Sequence, residues 1–201
     1  MNHLDGITKL KNHYFVIRHG KSKANVDEII LSNPDIGTID YGLVEEGRHQ
    51  VEKSVKEAKN KGILDSNTII VSSDFTRTKE TAEIAKKILE SANSILTPQL
   101  RERYFGNWEK KHNRHYHDVW NDDMKDPGHK HNGVESTSEV LDRTTHLIKD
   151  LEKQFEGKKI LLVSHGDALQ ILQTGFEKVS SSLHREISHL NVAEIRKLIL
   201  K

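Results

Sequence analysis

The chain has 201 residues, no cysteine, 31 basic against 30 acidic side chains and a net charge of +1. Such a length buries a core without disulfide or metal staples. The missing cysteines exclude a disulfide framework and Cys catalysis and fit a reducing, cytoplasmic compartment, while the balanced charge leaves no footprint for nucleic acid. No run approaches the ~18 apolar residues of a membrane span, and residues 1–10 hold no apolar stretch like that of a secretory signal.

In chain order, residues 1–12 are polar and read as a loose arm. Tyr14 to Ile17 are aromatic or β-branched, which predicts a short buried strand over 14–18. Arg18-His19-Gly20 follow at its end, and ligands of open α/β sheets bind beyond the carboxyl ends of the strands. Alone this tripeptide is a weak signal, expected by chance in on the order of one per cent of chains this long. Residues 20–25 read as a loop or helix start. The span 26–44 contains Asn33-Pro34, Gly37 and Gly42 and reads as irregular. From 45 to 61, Val51, Val55 and Ala58 recur at helical spacing, with Gly62 as the stop. Residues 68–72 form strand two. Ser73-Asp-Phe-Thr-Arg77 then leads into a helix with Ala82, Ala85 and Leu89 on one face. Residues 94–97 are a third short strand, closed by Pro98.

The stretch 100–135 holds both tryptophans, a Pro127-Gly128 turn and five histidines, with little apolar periodicity. It reads as an insertion over the site, lid-like around 103–135 and partly helical near 112–124. Its histidines are His112, His115, His117, His129 and His131. Their spacings of three and two, without a Cys or Glu-x-x-His frame, predict a polar lid rather than a metal site. Ser136-x-x-Glu139 has capping-box spacing. Val140, Thr144, Leu147 and Leu151 continue as an apolar stripe to Phe155, and Gly157 ends that helix. Residues 160–164 are a near-continuous apolar strand, as in a parallel sheet buried on both faces. It ends in His165-Gly166, and Ala168, Leu169, Ile171 and Leu172 begin the next helix. Residues 190–195 read as the last strand, before a charged tail. Strands alternating with helices, with no repeat and no linker, indicate one α/β domain over 1–201.

Two strands thus end in His-Gly. If both lie near the sheet centre, His19 and His165 meet at one edge. Arg77 follows Ser72-Ser73, and Arg101-Glu102-Arg103 follows the third strand. Pooled, these place two imidazoles, two or three arginines and one carboxylate in one crevice. Arginine forks match phosphate oxygens. A neutral histidine is a nucleophile near neutral pH, and a carboxylic acid can protonate a leaving alkoxide. Each group has a plainer reading on its own: a solvated histidine, an Arg77 that caps or salt-bridges, a Glu102 in a surface charge cluster. Their joint arrangement favours a site.

The blocks Arg18-His19-Gly20-x-Ser22-x-x-Asn25, Leu43-x-x-x-Gly47-x-x-Gln50 and Ser72-Ser73-Asp-Phe-x-Arg77-Thr78-x-x-Thr81-Ala82 occur in order. They are followed by Leu100-Arg-Glu102 with Phe105-Gly-Asn-Trp108-Glu109, by Gly133-x-Glu135-Ser136 and by Val163-Ser-His165-Gly166. Together they resemble the signature blocks of the histidine phosphatase superfamily, also called the phosphoglycerate mutase-like family, over nearly the whole chain. The resemblance implies a three-layer sandwich with a mostly parallel central sheet and helices on both faces. It implies that His19 accepts the phosphoryl group and that Arg18, Arg77 and His165 bind its oxygens and stabilise the transition state. Glu102 would be general acid and then base for water, and Ser22 and Asn25 would add phosphate or substrate contacts. The expected function is a metal-independent phosphomonoesterase of the phosphatase branch, acting through phosphohistidine on a small phosphorylated metabolite. No cofactor, metal, nucleic acid or membrane is expected as a partner, and oligomeric state is not legible.

The enzyme alternative is a cofactor-dependent phosphoglycerate mutase; the non-enzyme alternative is a family member that binds a phospho-ligand or protein partner without turnover. The filled catalytic set weighs against the second. Against the mutase, the segment 110–131 holds only Arg114 and no arginine pair, and carries Asp118, Asp122, Asp123 and Asp126, expected to repel a second phosphate. Asp167 replaces the asparagine of typical mutases. Three departures from the family pattern are Lys21, expected to bias the mouth towards anions, Val44, which removes a helix cap, and Lys110, which replaces a frequent glycine.

Overall fold

The computed structural model describes residues 1–92 and 94–201. Its sheet consists of β1 (His13–Arg18), β2 (Ile69–Ser72), β3 (Ser94–Leu96), β4 (Lys159–Ser164) and β5 (Ile195–Lys197), in the order β3-β2-β4-β1-β5. The first four are mutually parallel, and β5 closes one edge antiparallel to β1. Two short helices, α1 (Lys23–Val26) and α2 (Pro34–Gly37), precede α3 (Glu45–Asn60) and α4 (Thr76–Leu89). After them come α5 (Tyr116–Asp123), α6 (Thr137–Gln154) and α7 (Gly166–Glu177).

The strands alternate sides as the pleat dictates. Tyr14, Val16, Val71, Ile160 and Leu162 face Leu147, Ile148 and Leu151 of α6 and Leu169, Leu172 and Phe176 of α7. Phe15, Ile17, Ile70, Leu161 and Val163 face Val51 and Val55 of α3 and Ala82, Ala85 and Leu89 of α4. Both faces are therefore dry, which is why the strands read as unbroken apolar runs. Burying each large aliphatic contributes about 1.5–3 kcal/mol. The result is the expected helix–sheet–helix sandwich.

Register sets the site. Arg18 pairs with Ser164, and both Ile17 and Ser72 pair with Val163. His19 N–H continues the ladder to Ser164 O at 3.0 Å, and Ser73 N–H reaches Val163 O at 3.0 Å. The carboxyl ends of three adjacent strands thus finish level with one another.

Several local expectations need correction. The arm 1–12 is tied down: Leu4 is fully buried in the core beneath α6 and α7, Asn2 Nδ2 donates to Gly175 O at 3.1 Å, and His3 N–H donates to Thr145 Oγ1 at 3.1 Å. One leucine in a polar run has no period to reveal it. The last strand starts later than expected. Ala193 is left-handed at φ 59°, Glu194 N–H closes a turn on Asn191 O, and the Glu194 carboxylate accepts Asn191 N–H at 2.9 Å. Leu190 is buried before that turn rather than in a strand. Within 26–44, Asn33-Pro34 starts α2: Asn33 Oδ1 accepts Asp35 N–H at 2.9 Å and Pro34 fills the first helical position. Ser136 and Glu139 form the expected reciprocal cap of α6, whereas Val44 starts α3 with no side-chain cap. Among the described residues, no helix is long and apolar enough to cross a membrane.

Candidate active site

β1 delivers Arg18 and, one residue on, His19; β4 delivers His165; the first turn of α4 delivers Arg77. His19, Arg77 and His165 are all buried, and the two imidazoles lie edge to face with centroids 5.2 Å apart. Between them lies Arg77, whose Nε–H points at His19 Nε2 (3.1 Å) and His165 Nδ1 (3.2 Å). An arginine only donates, so these ring nitrogens are acceptors. The proton of His19 is therefore on Nδ1, where it is donated to Gly20 O at 2.8 Å. The proton of His165 is on Nε2 and goes to Ser73 Oγ at 3.0 Å. Each ring is thus held in one tautomer by the chain beside it, with its lone pair turned to the shared space.

Burial, then Arg77, then Arg18 hold His19 well below the ordinary histidine range, so it is neutral and nucleophilic at neutral pH. His165 is lowered well below that range as well, by burial, then Arg77 and His19. Arg77 itself is pushed down to about 10, chiefly by burial, and stays charged. Its Nη2–H is spent on Leu31 O at 2.9 Å. Arg77 Nη1 and Arg18 Nε are buried donors with no hydrogen-bond partner among the described residues. An unsatisfied buried donor costs about 1–3 kcal/mol, more when charged. Two such guanidinium N–H groups beside a neutral imidazole suit a tetrahedral oxyanion.

Two glycines make the space. The guanidinium carbon of Arg18 lies 3.3 Å from where a Cβ on Gly166 would stand. A Cβ on Gly20 would lie 2.3 Å from Gly47 O, so α3 packs directly on the end of β1. Lys21 N–H donates to Gln50 Oε1 at 3.1 Å, which accounts for the Gly47-x-x-Gln50 block. Lys21 Nζ is paired with Glu46 at 2.7 Å. Its charge is thereby matched, and the expected anionic bias at the mouth loses its basis.

Glu102 lies at the start of α7, where its Oε1 accepts Ala168 N–H at 3.1 Å and Arg103 N–H at 3.0 Å. Burial and then Asp167 nonetheless raise its pKa above the usual carboxylate range, the state a proton donor needs. Its neighbours do not join the site. Arg101 forks onto Asp74 (2.8 and 2.6 Å). Arg103 is fully buried and forks onto Asp123 (2.6 and 2.7 Å). The pooled count of arginines from the sequence therefore reduces to Arg18 and Arg77. Ser22 donates both N–H and Oγ–H to Asn25 Oδ1 (3.0 Å each), so the carbonyl of Asn25 is committed to the start of α1.

Residues 14–200 match the family described as the histidine phosphatase superfamily (branch 1). The chain belongs to the histidine phosphatase superfamily. It is 32% identical over 163 residues to a probable phosphoglycerate mutase GpmB of Photorhabdus laumondii, covering 79% of this chain and 71% of that protein. It is 26% identical over 191 residues to a metal-independent phosphoserine phosphatase of Arabidopsis thaliana, covering 90% and 75%. The fold is shared with a solved structure described as mycobacterial hydrolase 1, at TM-score 0.76 and 21% identity over 92% of this chain and 90% of that one.

In this histidine phosphatase superfamily member, a pocket of ≈ 130 Å³ opens beside Arg18, Glu102 and Gly166, walled by Tyr116, Trp120, Arg185 and His189. Sequence reasoning missed these four walls. Tyr116 and Trp120 stack at 5.5 Å, one turn apart on α5, a spacing visible in the sequence as an i,i+4 aromatic pair. Arg185 and His189 had no such signal, because they lie in and just after a 3₁₀ segment (Ser181–Glu186) without periodicity. Arg185 covers the Trp120 ring at 3.6 Å, and Arg18 Nη1 donates to His189 Nε2 at 2.8 Å.

None of the four aspartates of the segment lines this pocket. Asp123 is consumed by Arg103 and His129, Asp122 pairs with His131 at 3.1 Å, and Asp118 pairs with His115 at 2.8 Å. Asp126 accepts Gly128 N–H at 2.8 Å. Hydrogen bonds from a histidine or a backbone N–H leave Asp118 and Asp126 their charge, but neither lines the pocket. The Trp108-Glu109 block is a tether: Glu109 accepts Ser32 N–H and Oγ–H (2.6 Å for the latter), and Ser32 Oγ accepts Phe105 N–H at 2.9 Å. Lys110 keeps the left-handed φ of 59° that explains a frequent glycine there, and its N–H still reaches Ile30 O at 2.8 Å.

Proposed function

We propose that this chain is a metal-independent phosphomonoesterase that works through a phosphohistidine at His19 and acts on a small phosphorylated metabolite. The carrying observation is the pair of buried guanidinium donors without a hydrogen-bond partner among the described residues, Arg77 Nη1 and Arg18 Nε, beside the neutral His19. His19 Nε2 attacks phosphorus and the ester P–O bond breaks. Protonated Glu102 gives its proton to the departing oxygen. In the second half, Glu102 takes a proton from water, whose oxygen attacks phosphorus, and the P–N bond breaks to release phosphate and neutral His19. Arg18 and Arg77 supply the positive charge to the equatorial oxygens that a metal would otherwise meet, and His165 joins them once Nδ1 takes up a proton as the phosphate enters. Ser22 and Asn25 flank the substrate, and the segment 103–135 serves as a lid. The pocket is small beside the ≈ 300–1,000 Å³ of drug-sized sites, which suits a compact leaving group.

The phosphoserine phosphatase relative supports hydrolysis. A second reading, phosphoglycerate mutase, draws on the GpmB relative and on Arg185, a cation in the pocket wall. A phosphate-release screen of small esters, run beside a coupled mutase assay with 2,3-bisphosphoglycerate, separates them. We expect release of inorganic phosphate that survives EDTA and is inhibited by vanadate, with negligible interconversion of 3- and 2-phosphoglycerate. Mutase turnover above hydrolysis would establish the second reading. No release from any ester would point to a binding protein.

A further inference from the structure

We propose that Asp122, His129 and His131 form a binding site for Zn²⁺, separate from the reacting phosphate. One donor atom from each lies within 4.8 Å of the other two. They border a small cavity of ≈ 20 Å³, room for about one ion or water. The set of two imidazoles and one carboxylate is a common three-ligand zinc set with a fourth position for water.

His129 is the anchor. Its side chain is buried, and its Nε2–H is donated to Asp123 Oδ1 at 2.7 Å. Asp123 is itself gripped by both terminal nitrogens of Arg103. A carboxylate behind the imidazole fixes the tautomer and ring orientation of metal-binding histidines and raises their basicity. Among the described residues, the Nδ1 lone pair left over faces only the His131 backbone N–H at 3.4 Å, the far limit of a hydrogen bond. Burying a ring with an underused lone pair is an unusual arrangement for a purely structural histidine.

Asp122 and His131 supply the adjustable ligands. Asp122 lies in the last turn of α5 and holds His131 Nδ1 at 3.1 Å, and the His131 side chain is 68% exposed. Tetrahedral zinc with ligands near 2.05 Å needs donors about 3.4 Å apart. Rotation of the exposed His131 closes that gap without moving the buried anchor. Histidine spacing alone predicts no site here because the third ligand is an aspartate on the preceding helix. A bound ion would staple the end of α5 to the turn 129–133. That turn packs on Gly106, where a Cβ would meet Asn132 O at 2.1 Å.

The test uses the full chain, stripped with EDTA, dialysed, and titrated with ZnCl₂ by calorimetry alongside metal analysis. We expect one zinc per chain and a thermal midpoint that rises with zinc. His131→Ala and Asp122→Asn, both at exposed or half-buried side chains, should each weaken binding by on the order of tenfold or more and abolish the thermal rise. His146→Ala, a control at another exposed histidine paired with an aspartate, should change neither. No stoichiometric uptake by the wild type, or undiminished uptake by either ligand variant, would overturn the proposal.

Discussion

At the scale of single residues, the site is a set of opposed protonation states. His19 is lowered by burial and two arginines, and Glu102 is raised by burial and Asp167. Turnover by the proposed route needs neutral His19 and protonated Glu102. The lowered histidine stays neutral below its usual 6.5, so the acid limb moves down. The raised carboxyl keeps its proton above its usual 4.5, so activity falls only as pH rises through that raised value. We expect kcat/KM to peak on the acid side of neutrality and Glu102→Gln to abolish the alkaline fall. General acid catalysis is worth about 10²–10⁴-fold, and most when the leaving group is basic. Glu102→Gln should therefore cost an alkyl phosphate about 10²-fold or more and p-nitrophenyl phosphate far less; equal losses would mean that Glu102 only positions the substrate. His19, His165, Arg18, Arg77 and Glu102 were legible because each ends or follows a readable strand. Arg185 and His189 were not, because nothing local marks a residue that becomes important only by folding back over Arg18 and Trp120.

At the scale of elements, helix–strand contacts set the position of those groups. Gly47 lies in the first turn of α3, where Gly→Ala ordinarily stabilises a helix by up to about 1 kcal/mol. Here a Cβ would stand 2.0 Å from Lys21 O. Gly47→Ala is expected to reverse the sign, destabilising by about 1–3 kcal/mol as overpacking does, and to lower kcat by displacing the end of β1. A stability gain in urea denaturation would show that α3 can shift freely. The Arg103–Asp123 pair is the corresponding anchor for α5. Removing one partner of a buried, hydrogen-bonded pair costs about 3–5 kcal/mol, so Asp123→Ala should lower the urea midpoint sharply. Asp126→Ala, at an exposed side chain, should stay within about 0.5 kcal/mol. The same pair shows the limit of reading charge from sequence. Of four aspartates counted as a repulsive field, Asp123 is matched by the buried Arg103, and none of the four lines the pocket.

At the scale of the whole molecule, the sheet order carries the chemistry. Placing β4 between β2 and β1 brings residues 19, 73, 77 and 165 to one edge, although they are far apart in sequence. The alternation of strands and helices made a mostly parallel α/β sheet an expectation but left its strand order open, while the buried Leu4 and the late start of β5 depended on contacts with no periodic signal. The central claim is that His19 carries the phosphoryl group. Rapid acid-free quenching of the enzyme with radiolabelled p-nitrophenyl phosphate tests it directly. The expected result is an adduct that is labile in acid, survives alkali, maps to the peptide containing His19 and is missing from His19→Ala. An unlabelled protein during steady turnover, or a His19→Ala variant of near-normal rate, would contradict it.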